Sequence, residues 1–323
     1  MSNIPLEEIA KKLLEEDSVL LSTHVSPDPD AIGSSFGLAL ALMSLKKRVF
    51  VHLQDPLPER LRSFVVNVPF GSEVPSEEFA AFVVVDTASK RRVGVHVETC
   101  QAKARRTYNI DHHVSNDCWG DLNSIDAEAA ASAQIVSRLI PMLGTSISPD
   151  CANLLYAGLL DDTGGFCFSN SSAAAFRCAA ALVEAGADPG RIANELYFTQ
   201  PLRVLKLHAS ALDALKVVLD GRVAYMTISN TIMSECGALP EDAEGLVDLA
   251  RRLGGTDAAV LQREIEGGWK LSLRAKRDSL DVNRVAGAFG GGGHRAAAGC
   301  KLVGTAEEVE RQVLERLAVE LDQ

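Results

Sequence analysis

The 323-residue sequence lacks the cysteine patterns and the long apolar segment that would identify several classes of protein. Its seven cysteines are odd in number and never form a C-x-x-C pair, which argues against a zinc cage or a disulfide framework and predicts reduced thiols in the cytoplasm. The longest apolar-rich run, "FGLALALMSL", is too short to span a bilayer. The N-terminal stretch "MSNIPLEEIAKKLLEED" is acidic and amphipathic rather than a signal peptide. We therefore expect a soluble protein with no membrane partner.

The sequence also lacks an excess of positive charge, and its formal net charge is -11. Proteins that grip duplex nucleic acid usually present a basic face, so no duplex DNA partner is expected. A short anionic substrate held by metal ions remains compatible with this charge.

Strand-like and helix-like segments alternate in the first half of the chain. The predicted strands are "SVLLST", "RVFVHL", "AAFVVVD" and "RTYNID", and helical segments include "AIGSSFGLALALMSL", "AEAAASAQIVSRLIPML", "SPDCANLLYAGLL" and "SSAAAFRCAAALVEAG". This alternation predicts an α/β fold with a parallel sheet covered on both faces. We place this N-terminal domain at residues 1–188 and a helical connector at 189–215.

The pattern changes in residues 216–323, for which we predict a smaller mixed α/β domain. "RVAYMTIS", "DAAVLQREI" and "WKLSLRAK" are predicted strands, and the last two are joined by an "EGG" hairpin turn. "DVNRVAGAF" and "AEEVERQVLERLAVEL" are predicted helices, and "GGGG" ends the first of them.

Candidate metal ligands recur where the predicted strands of the first half end. Because ligands gather beyond the carboxyl ends of parallel strands, these side chains could converge although they are far apart in sequence. They are His24, Asp28 and Asp30 after the first strand, Asp86 after "FVVV", and Asp111, His112 and His113 in "NIDHHVSN". The acidic pair Asp161 and Asp162 in "GLLDDTGGF" could reach the same crevice.

Carboxylates with imidazoles and no clustered thiolates favour a hard or borderline ion such as manganese or magnesium. Five or six such ligands exceed the needs of one ion, and two ions sharing a carboxylate would suit phosphoryl hydrolysis. Each residue alone has a plainer explanation: Asp28 and Asp30 as turn residues, Asp86 as a helix N-cap, one histidine as a hydrogen-bonded imidazole. The recurrence at strand ends favours the metal site.

The adjacent histidines in "NIDHHVSN" raise a separate question. Neighbouring side chains at a strand end point to opposite faces, so one ion would not easily bind both His112 and His113. The pair therefore predicts two different roles.

In the second half, "AGAFGGGGHRAAAGC" places Gly290 to Gly293 before His294 and Arg295. Consecutive glycines let backbone N–H groups approach an anion closely, although a flexible linker is the alternative. Upstream, Arg274 and Lys276 would share one strand face as a phosphate or carboxylate clamp, whereas Arg277 would point away. A solvated surface is the alternative for all three cations, and it is the interpretation that we adopt for Arg277.

Together these motifs resemble the DHH phosphoesterase family, in particular its branch of bifunctional oligoribonucleases and phosphoadenosine-phosphate phosphatases. "HVSPDPDAIGS", "VVVDT", "NIDHHVSN" and "LLDDTGGF" are similar to its N-terminal motifs in order. "LSLRAK" and "GGGGHRAAAG" are similar to its C-terminal DHH-associated domain. The resemblance spans nearly the whole chain.

The resemblance implies a site with two divalent ions, most commonly Mn²⁺. One ion would be held by His24, Asp28 and Asp86, and the other by Asp30, Asp86, His112 and Asp162. Asp86 would bridge them, His113 would face the scissile phosphate, and Asp111 would orient the neighbouring imidazoles. Arg274 and His294, backed by a glycine loop that includes Gly291, Gly292 and Gly293, would hold the substrate across an interdomain cleft.

The implied activity is degradation of very short single-stranded RNA to mononucleotides, together with dephosphorylation of 3′-phosphoadenosine 5′-phosphate (PAP) to AMP. A homodimer is one expected state, since dimers are common among similar proteins. Phosphodiesterase action on linear or cyclic signalling dinucleotides stays open, with a pyrophosphatase or a non-catalytic nucleotide-binding protein ranked below it. Pro29 and Asp161 depart from the family pattern, and their effects are not decided by the sequence.

Overall fold

The computed structural model describes residues 3–277 and 279–322. The chain forms two compact units, Met1–Thr199 and Gln200–Gln323, so the division falls inside the predicted connector 189–215. Each unit contains its own six-stranded sheet. The predicted domain limits at residues 1 and 323 lie outside the described part of the chain.

The first unit is built on a parallel sheet in the strand order β3-β2-β1-β4-β5-β6. This confirms the predicted parallel α/β architecture. The strands are β1 (Ser18–Ser22), β2 (Arg48–His52), β3 (Phe70–Gly71), β4 (Phe79–Val85), β5 (Ala104–Asp111) and β6 (Leu122–Ile125).

The central strand β4 shows why the sheet is covered on both faces. All seven of its residues, "FAAFVVV", are buried, as expected for a parallel strand between two helical layers. Because successive side chains alternate, Val83 and Val85 join one apolar core, whereas Phe82 and Val84 join another. The polar residues that follow the strands are thereby held at one edge of a rigid sheet.

Helices flank this sheet, and two of them pack unusually closely. They are α1 (Leu6–Glu15), α2 (Pro29–Ser44), α3 (Lys90–Val93), α4 (Val97–Ala102), α5 (Ser132–Met142), α6 (Pro149–Asp162), α7 (Ala173–Glu184) and α8 (Pro189–Ala193), with a 3₁₀ turn Glu59–Leu61 and a π-helical turn Asn194–Phe198. A Cβ added to Gly158 on α6 would lie 2.7 Å from Asp30 Oδ1 on α2. Glycine therefore permits the approach that brings the two ends of these helices to one place.

Two predicted helical segments differ from the structure. The helix expected from residue 127 begins at Ser132, since residues 126–131 form turns in which Ala130 N–H donates to Gln134 Oε1. The predicted connector is interrupted at residues 199–201, where Pro201 precedes α9 (Leu202–Asp213) and disfavours a helical residue before it.

The second unit contains a mixed sheet in the order β11-β12-β10-β9-β8-β7, in which only β8 and β9 pair in parallel among the described strands. This confirms the predicted mixed α/β domain. Its strands are β7 (Lys216–Val218), β8 (Val223–Ile228), β9 (Ala258–Ile265), β10 (Gly268–Ala275), β11 (Gly292–Gly293) and β12 (Ala297–Leu302). Its helices after α9 are α10 (Asn230–Cys236), α11 (Val247–Arg251), α12 (Val282–Gly287) and α13 (Ala306–Leu321), with a 3₁₀ turn Pro240–Ala243.

Across the described residues, no helix combines the length and the apolar character that crossing a membrane requires. All seven cysteines carry free thiols, and four of them are buried: Cys100, Cys151, Cys236 and Cys300.

Candidate metal centre and substrate-binding residues

The candidate ligands of the first unit lie at the carboxyl ends of three neighbouring strands. His24 follows β1, Asp86 comes directly after β4, and Asp111 is the last residue of β5. Since these strands are adjacent and parallel, their ends meet at one edge of the sheet. The structure brings eight of the predicted residues, including Asp162 at the end of α6, into three groups: His24 with Asp28 and Asp86; Asp30 with His112 and Asp162; and Asp86 with Asp111, His112 and His113.

Asp86 belongs to the first group and also reaches the second, because each of its carboxylate oxygens faces the imidazole of one group. Its Oδ2 is 3.4 Å from His24 Nε2, and its Oδ1 is 3.5 Å from His112 Nε2. The residue is 2% exposed and has φ 59°, a left-handed conformation that is uncommon outside glycine. Ser132 Oγ donates to Oδ1 at 3.0 Å and fixes the carboxylate plane. This geometry is compatible with a carboxylate that bridges two cations.

The first group consists of His24, Asp28 and Asp86. His24 Nδ1 donates to the Val25 carbonyl at 2.9 Å, because a carbonyl only accepts, and this contact turns Nε2 toward the Asp28 and Asp86 carboxylates. Asp28 caps α2 by accepting from Ala31 N–H through Oδ1, and its Oδ2 is 3.5 Å from His24 Nε2. The three ligand atoms therefore converge.

The second group consists of Asp30, His112 and Asp162. His112 Nδ1 donates to the Ala129 carbonyl at 3.3 Å, which again turns Nε2 toward the carboxylates, 3.2 Å from Asp162 Oδ2. Asp30 is fully buried and accepts from the backbone N–H groups of Ser132 and Ala133 at 2.6 and 2.9 Å. These N–H groups begin α5, so the positive end of that helix stabilises the Asp30 carboxylate.

Asp162 has an unfavourable position unless a cation is nearby. It is the last residue of α6, where the partial negative charge of the helix terminus opposes a carboxylate. Ionisation of Asp162 is also opposed by its surroundings. Burial, and then the negative charge of Asp30, raise the pKa of Asp162 well above its usual range.

The pKa values around Asp86 show the same concentration of negative charge. Burial opposes ionisation of Asp86, but hydrogen bonds from His112 and His24 hold its pKa well below the usual range. Burial and then the Asp86 charge raise the pKa of Asp30. Although burial lowers it, the contacts with Asp86 and Asp162 raise the pKa of His112 to about 11.

The donor set fits two divalent cations. Four carboxylates, those of Asp28, Asp30, Asp86 and Asp162, carry four negative charges that two such ions would balance. Two imidazoles add one nitrogen ligand each, and the described ligand atoms of each group lie within 4.8 Å of one another. Oxygen with nitrogen and no sulfur is the ligand chemistry of magnesium and manganese rather than of structural zinc.

His113 has a different environment from His112. Its Nδ1 donates to Asp111 Oδ1 at 2.7 Å, and Asn116 Nδ2 donates to the other Asp111 oxygen at 2.6 Å. The fully buried Asp111 thus orients His113, whereas the carbonyl of Ala129 orients His112. The two rings are 4.7 Å apart and do not point to opposite faces, because both residues lie beyond the end of β5, where strand alternation no longer applies.

Sequence reasoning missed three residues that hold the site in place. Ser132 contacts both Asp86 and Asp30, Ala129 orients His112 through its carbonyl, and Asn116 fixes Asp111. Asn116 is the last residue of "NIDHHVSN", and an amide side chain so close in sequence to Asp111 could have been predicted to bond to it. Ala129 acts through its backbone, so its identity carried no signal.

In the second unit, Arg274 lies on β10 with its Nε 3.7 Å from Asp248 Oδ1. Burial lowers the pKa of its guanidinium, and the charge of Asp248 partly offsets this effect. Lys276 lies beyond the end of β10, and its ammonium donates to the Leu253 carbonyl and to Thr256 Oγ1. These local bonds tie Lys276 to its own unit and separate its role from that of Arg274.

The glycine run is shaped by close strand packing. A Cβ on Gly291 would lie 2.2 Å from the Gly299 carbonyl oxygen, and one on Gly293 would lie 2.5 Å from that of Ala297. Gly292 has only Asn283 Oδ1 within reach, at 3.7 Å. His294 N–H then donates to the Ala297 carbonyl at 2.7 Å, which closes the turn into β12. Two of the glycines are therefore required by the fold itself.

Each of the two units matches a known domain family. Residues 18–159 match the N-terminal domain of the DHH family, and residues 220–321 match the DHHA1 domain. The region that matches the DHH domain ends just before Asp162, and it contains His24, Asp28, Asp30, Asp86, His112 and His113.

Similar proteins cover nearly the whole chain. A bifunctional oligoribonuclease and PAP phosphatase (NrnA) of Thermus thermophilus is 34% identical over 309 residues, 95% of this chain and 91% of that protein. A protein of the same name from Bacillus subtilis is 28% identical, with 91% of this chain and 92% of that protein covered. The crystal structure of an exopolyphosphatase-related protein from Bacteroides fragilis has a TM-score of 0.90 and 26% identity, covering 97% of this chain and 96% of that chain.

Proposed function

The chain belongs to the DHH family and carries a DHHA1 domain, and from this premise we propose that it degrades very short oligoribonucleotides to mononucleotides and dephosphorylates PAP to AMP. The observation that carries the proposal is Asp86, whose two oxygens face two separate imidazoles within two ligand groups. That arrangement suits phosphoryl hydrolysis, and the similar proteins of T. thermophilus and B. subtilis bear names that state these two activities.

We assign the residues of the first unit as follows. His24, Asp28 and Asp86 would hold one divalent ion, and Asp30, Asp86, His112 and Asp162 the other. When bound, such ions lower the pKa of a nucleophilic water and offset charge on phosphoryl oxygens. Asp111 holds His113 by its Nδ1, and we assign His113 to the phosphoryl oxygens of the substrate. Ser132 keeps the Asp86 carboxylate in the plane that serves both groups.

We also propose the identity of the metal ion, the form of the substrate, the location of the protein and its oligomeric state. Mn²⁺ is the proposed ion, because the imidazole nitrogens make the site softer than an all-oxygen magnesium site. The substrate is single-stranded, since a net charge of -11 disfavours duplex binding. Seven free thiols support a cytoplasmic location. Exposed leucines on α9, Leu202, Leu205 and Leu212, support a homodimer, which light scattering would test.

A product time course tests the proposed function. Purified protein would be given a labelled RNA length series from dinucleotide upward, and PAP, with Mn²⁺ and then with Mg²⁺. We expect mononucleotides from the shortest RNAs and phosphate from PAP. Linear and cyclic signalling dinucleotides run alongside would show whether they are better substrates. If the dinucleotide yielded no mononucleotide and PAP no phosphate, the proposal would be wrong.

From the second unit we assign Arg274, His294 and the segment Gly291–Gly293 to substrate binding. Arg274→Ala should raise KM for PAP and dinucleotides about 10-fold, the effect of losing one charge-assisted hydrogen bond, and leave metal content unchanged. Arg277→Ala, beyond the end of β10, is the matched control. Loss of metal from the Arg274 variant would show that the residue supports the fold of the site rather than the substrate.

A further inference from the structure

A basic segment borders the metal centre on the same loop that carries Asp86. It consists of Lys90, Arg91 and Arg92 at the start of α3, and begins four positions after Asp86. The Arg92 carbonyl accepts from Val25 N–H at 2.8 Å, and Val25 directly follows the metal-ligand candidate His24. The backbone of the segment is therefore bonded to the loop that forms the first metal group.

Two of the three cations are not neutralised by any residue that the structure describes. Lys90 pairs with Glu98 at 2.8 Å. Arg91 and Arg92 are exposed, and within residues 3–277 and 279–322 neither side chain has a hydrogen-bond or ion-pair partner. The net charge of the chain is -11, and these two guanidinium groups belong to a segment whose backbone is bonded to the loop that carries His24. Such groups bind phosphate well, because the planar fork can donate two hydrogen bonds.

Both proposed substrates contain a 5′-phosphate that the two guanidinium groups could bind. PAP is an adenosine with a 5′-phosphate and a scissile 3′-phosphate. A 5′-phosphorylated dinucleotide contains the same unit, with the second nucleotide attached to the 3′-phosphate. In both reactions water adds to phosphorus, the P–O3′ bond breaks, and the 3′ oxygen takes a proton as AMP leaves. The 5′-phosphate is not cleaved in either reaction.

We propose that Arg91 and Arg92 form a subsite for the 5′-phosphate of the nucleotide whose 3′-phosphoryl group lies at the metal centre. This inference rests on the proposed function and deepens it, since one subsite on the DHH domain would serve RNA and PAP alike. The subsite selects substrates with a 5′-phosphate through charge and leaves the attached base and the second nucleotide unspecified.

The test compares substrates that differ only by the 5′-phosphate. Rates with Mn²⁺ would be measured for pApA against ApA, and for PAP against adenosine 3′-phosphate. The wild-type protein should have a higher kcat/KM for the 5′-phosphorylated member of each pair. Arg91→Ala and Arg92→Ala should each reduce this ratio. The double variant should reduce it about 10-fold, with unchanged metal content. The loss should lie mainly in KM.

Arg105→Ala is the matched control. Arg105 is exposed and, in the described part of the chain, has no side-chain partner; it lies at the start of β5, the opposite edge of the parallel sheet from the metal centre. Its ratio should equal that of the wild type. The subsite would be overturned by a wild-type ratio near one, by unchanged ratios in the double variant, or by loss of its metal. Failure of the wild type to cleave any of the four substrates would instead overturn the proposed function and the subsite with it.

Discussion

Asp86→Asn should reduce turnover of dinucleotides and PAP by more than about 100-fold, the upper range for residues that only support a metal ligand. Asp86 directs one oxygen to His24 and the other to His112, so losing its charge should weaken both groups at once. Metal content, measured by mass spectrometry after dialysis, should fall below that of the wild type. Added Mn²⁺ should raise the melting temperature of the wild type and have little effect on the variant.

Asparagine is the informative substitution at this position. Asp86 has φ 59°, which asparagine tolerates and alanine does not, so alanine would add backbone strain to the loss of the ligand. The asparagine oxygen can still accept from Ser132 Oγ. Asp117→Asn removes an exposed carboxylate from the neighbouring loop and serves as the control. Normal metal content and turnover within 10-fold of the wild type would show that Asp86 does not bridge the two groups.

The sequence predicted the edge of the sheet at which Asp86 and His112 lie because that edge follows from topology alone. Residues that follow parallel strands share one edge of the sheet regardless of loop conformation, so the sequence alone places the ends of "SVLLST", "FVVVD" and "TYNID" together. Burial on both faces also made these strands easy to recognise, as in "FAAFVVV".

The positions of the supporting residues could not be predicted in this way. Ser132 contacts Asp30 through its backbone N–H and Asp86 through its hydroxyl, which depends on where α5 begins and how it meets α2. The sequence predicts an earlier start, at residue 127, because residues 127–131 include helix-forming alanines, but the structure shows that this segment uses its backbone groups in turns. Tertiary contacts overrode local propensity here.

The strand β12 is not predicted by the sequence, for a related reason. β12 has the sequence "AAGCKL", and alanine and glycine have little intrinsic preference for strands. It is nevertheless paired with β10 on one side and β11 on the other, where the absence of side chains on Gly291 and Gly293 allows close approach. The glycine run was predicted as an anion-binding loop, and the structure adds a packing requirement that composition alone did not reveal.

His113→Gln should lower kcat about 10²- to 10³-fold, the range for losing one group that stabilises charge in a transition state, and should leave metal content unchanged. The reason is its separation from the two ligand groups: its Nδ1 is bonded to Asp111 at 2.7 Å, whereas His24 and His112 turn Nε2 to the carboxylates. His208→Gln, on α9 of the second unit, is the control for a histidine removed elsewhere.

Asp111→Asn should give a smaller loss, about 10- to 100-fold, because Asp111 acts by orienting His113. If the two act as one unit, the double variant should be little slower than His113→Gln alone, since the orienting contact has no further effect once the ring is gone. The structure also offers a basis for His113 acting as a metal ligand. Its Nδ1 is 3.7 Å from Asp86 Oδ1, and His113 belongs to the third group of potential ligands. Loss of metal from His113→Gln would therefore make His113 a ligand, and the doubled histidine would then serve the metal centre alone.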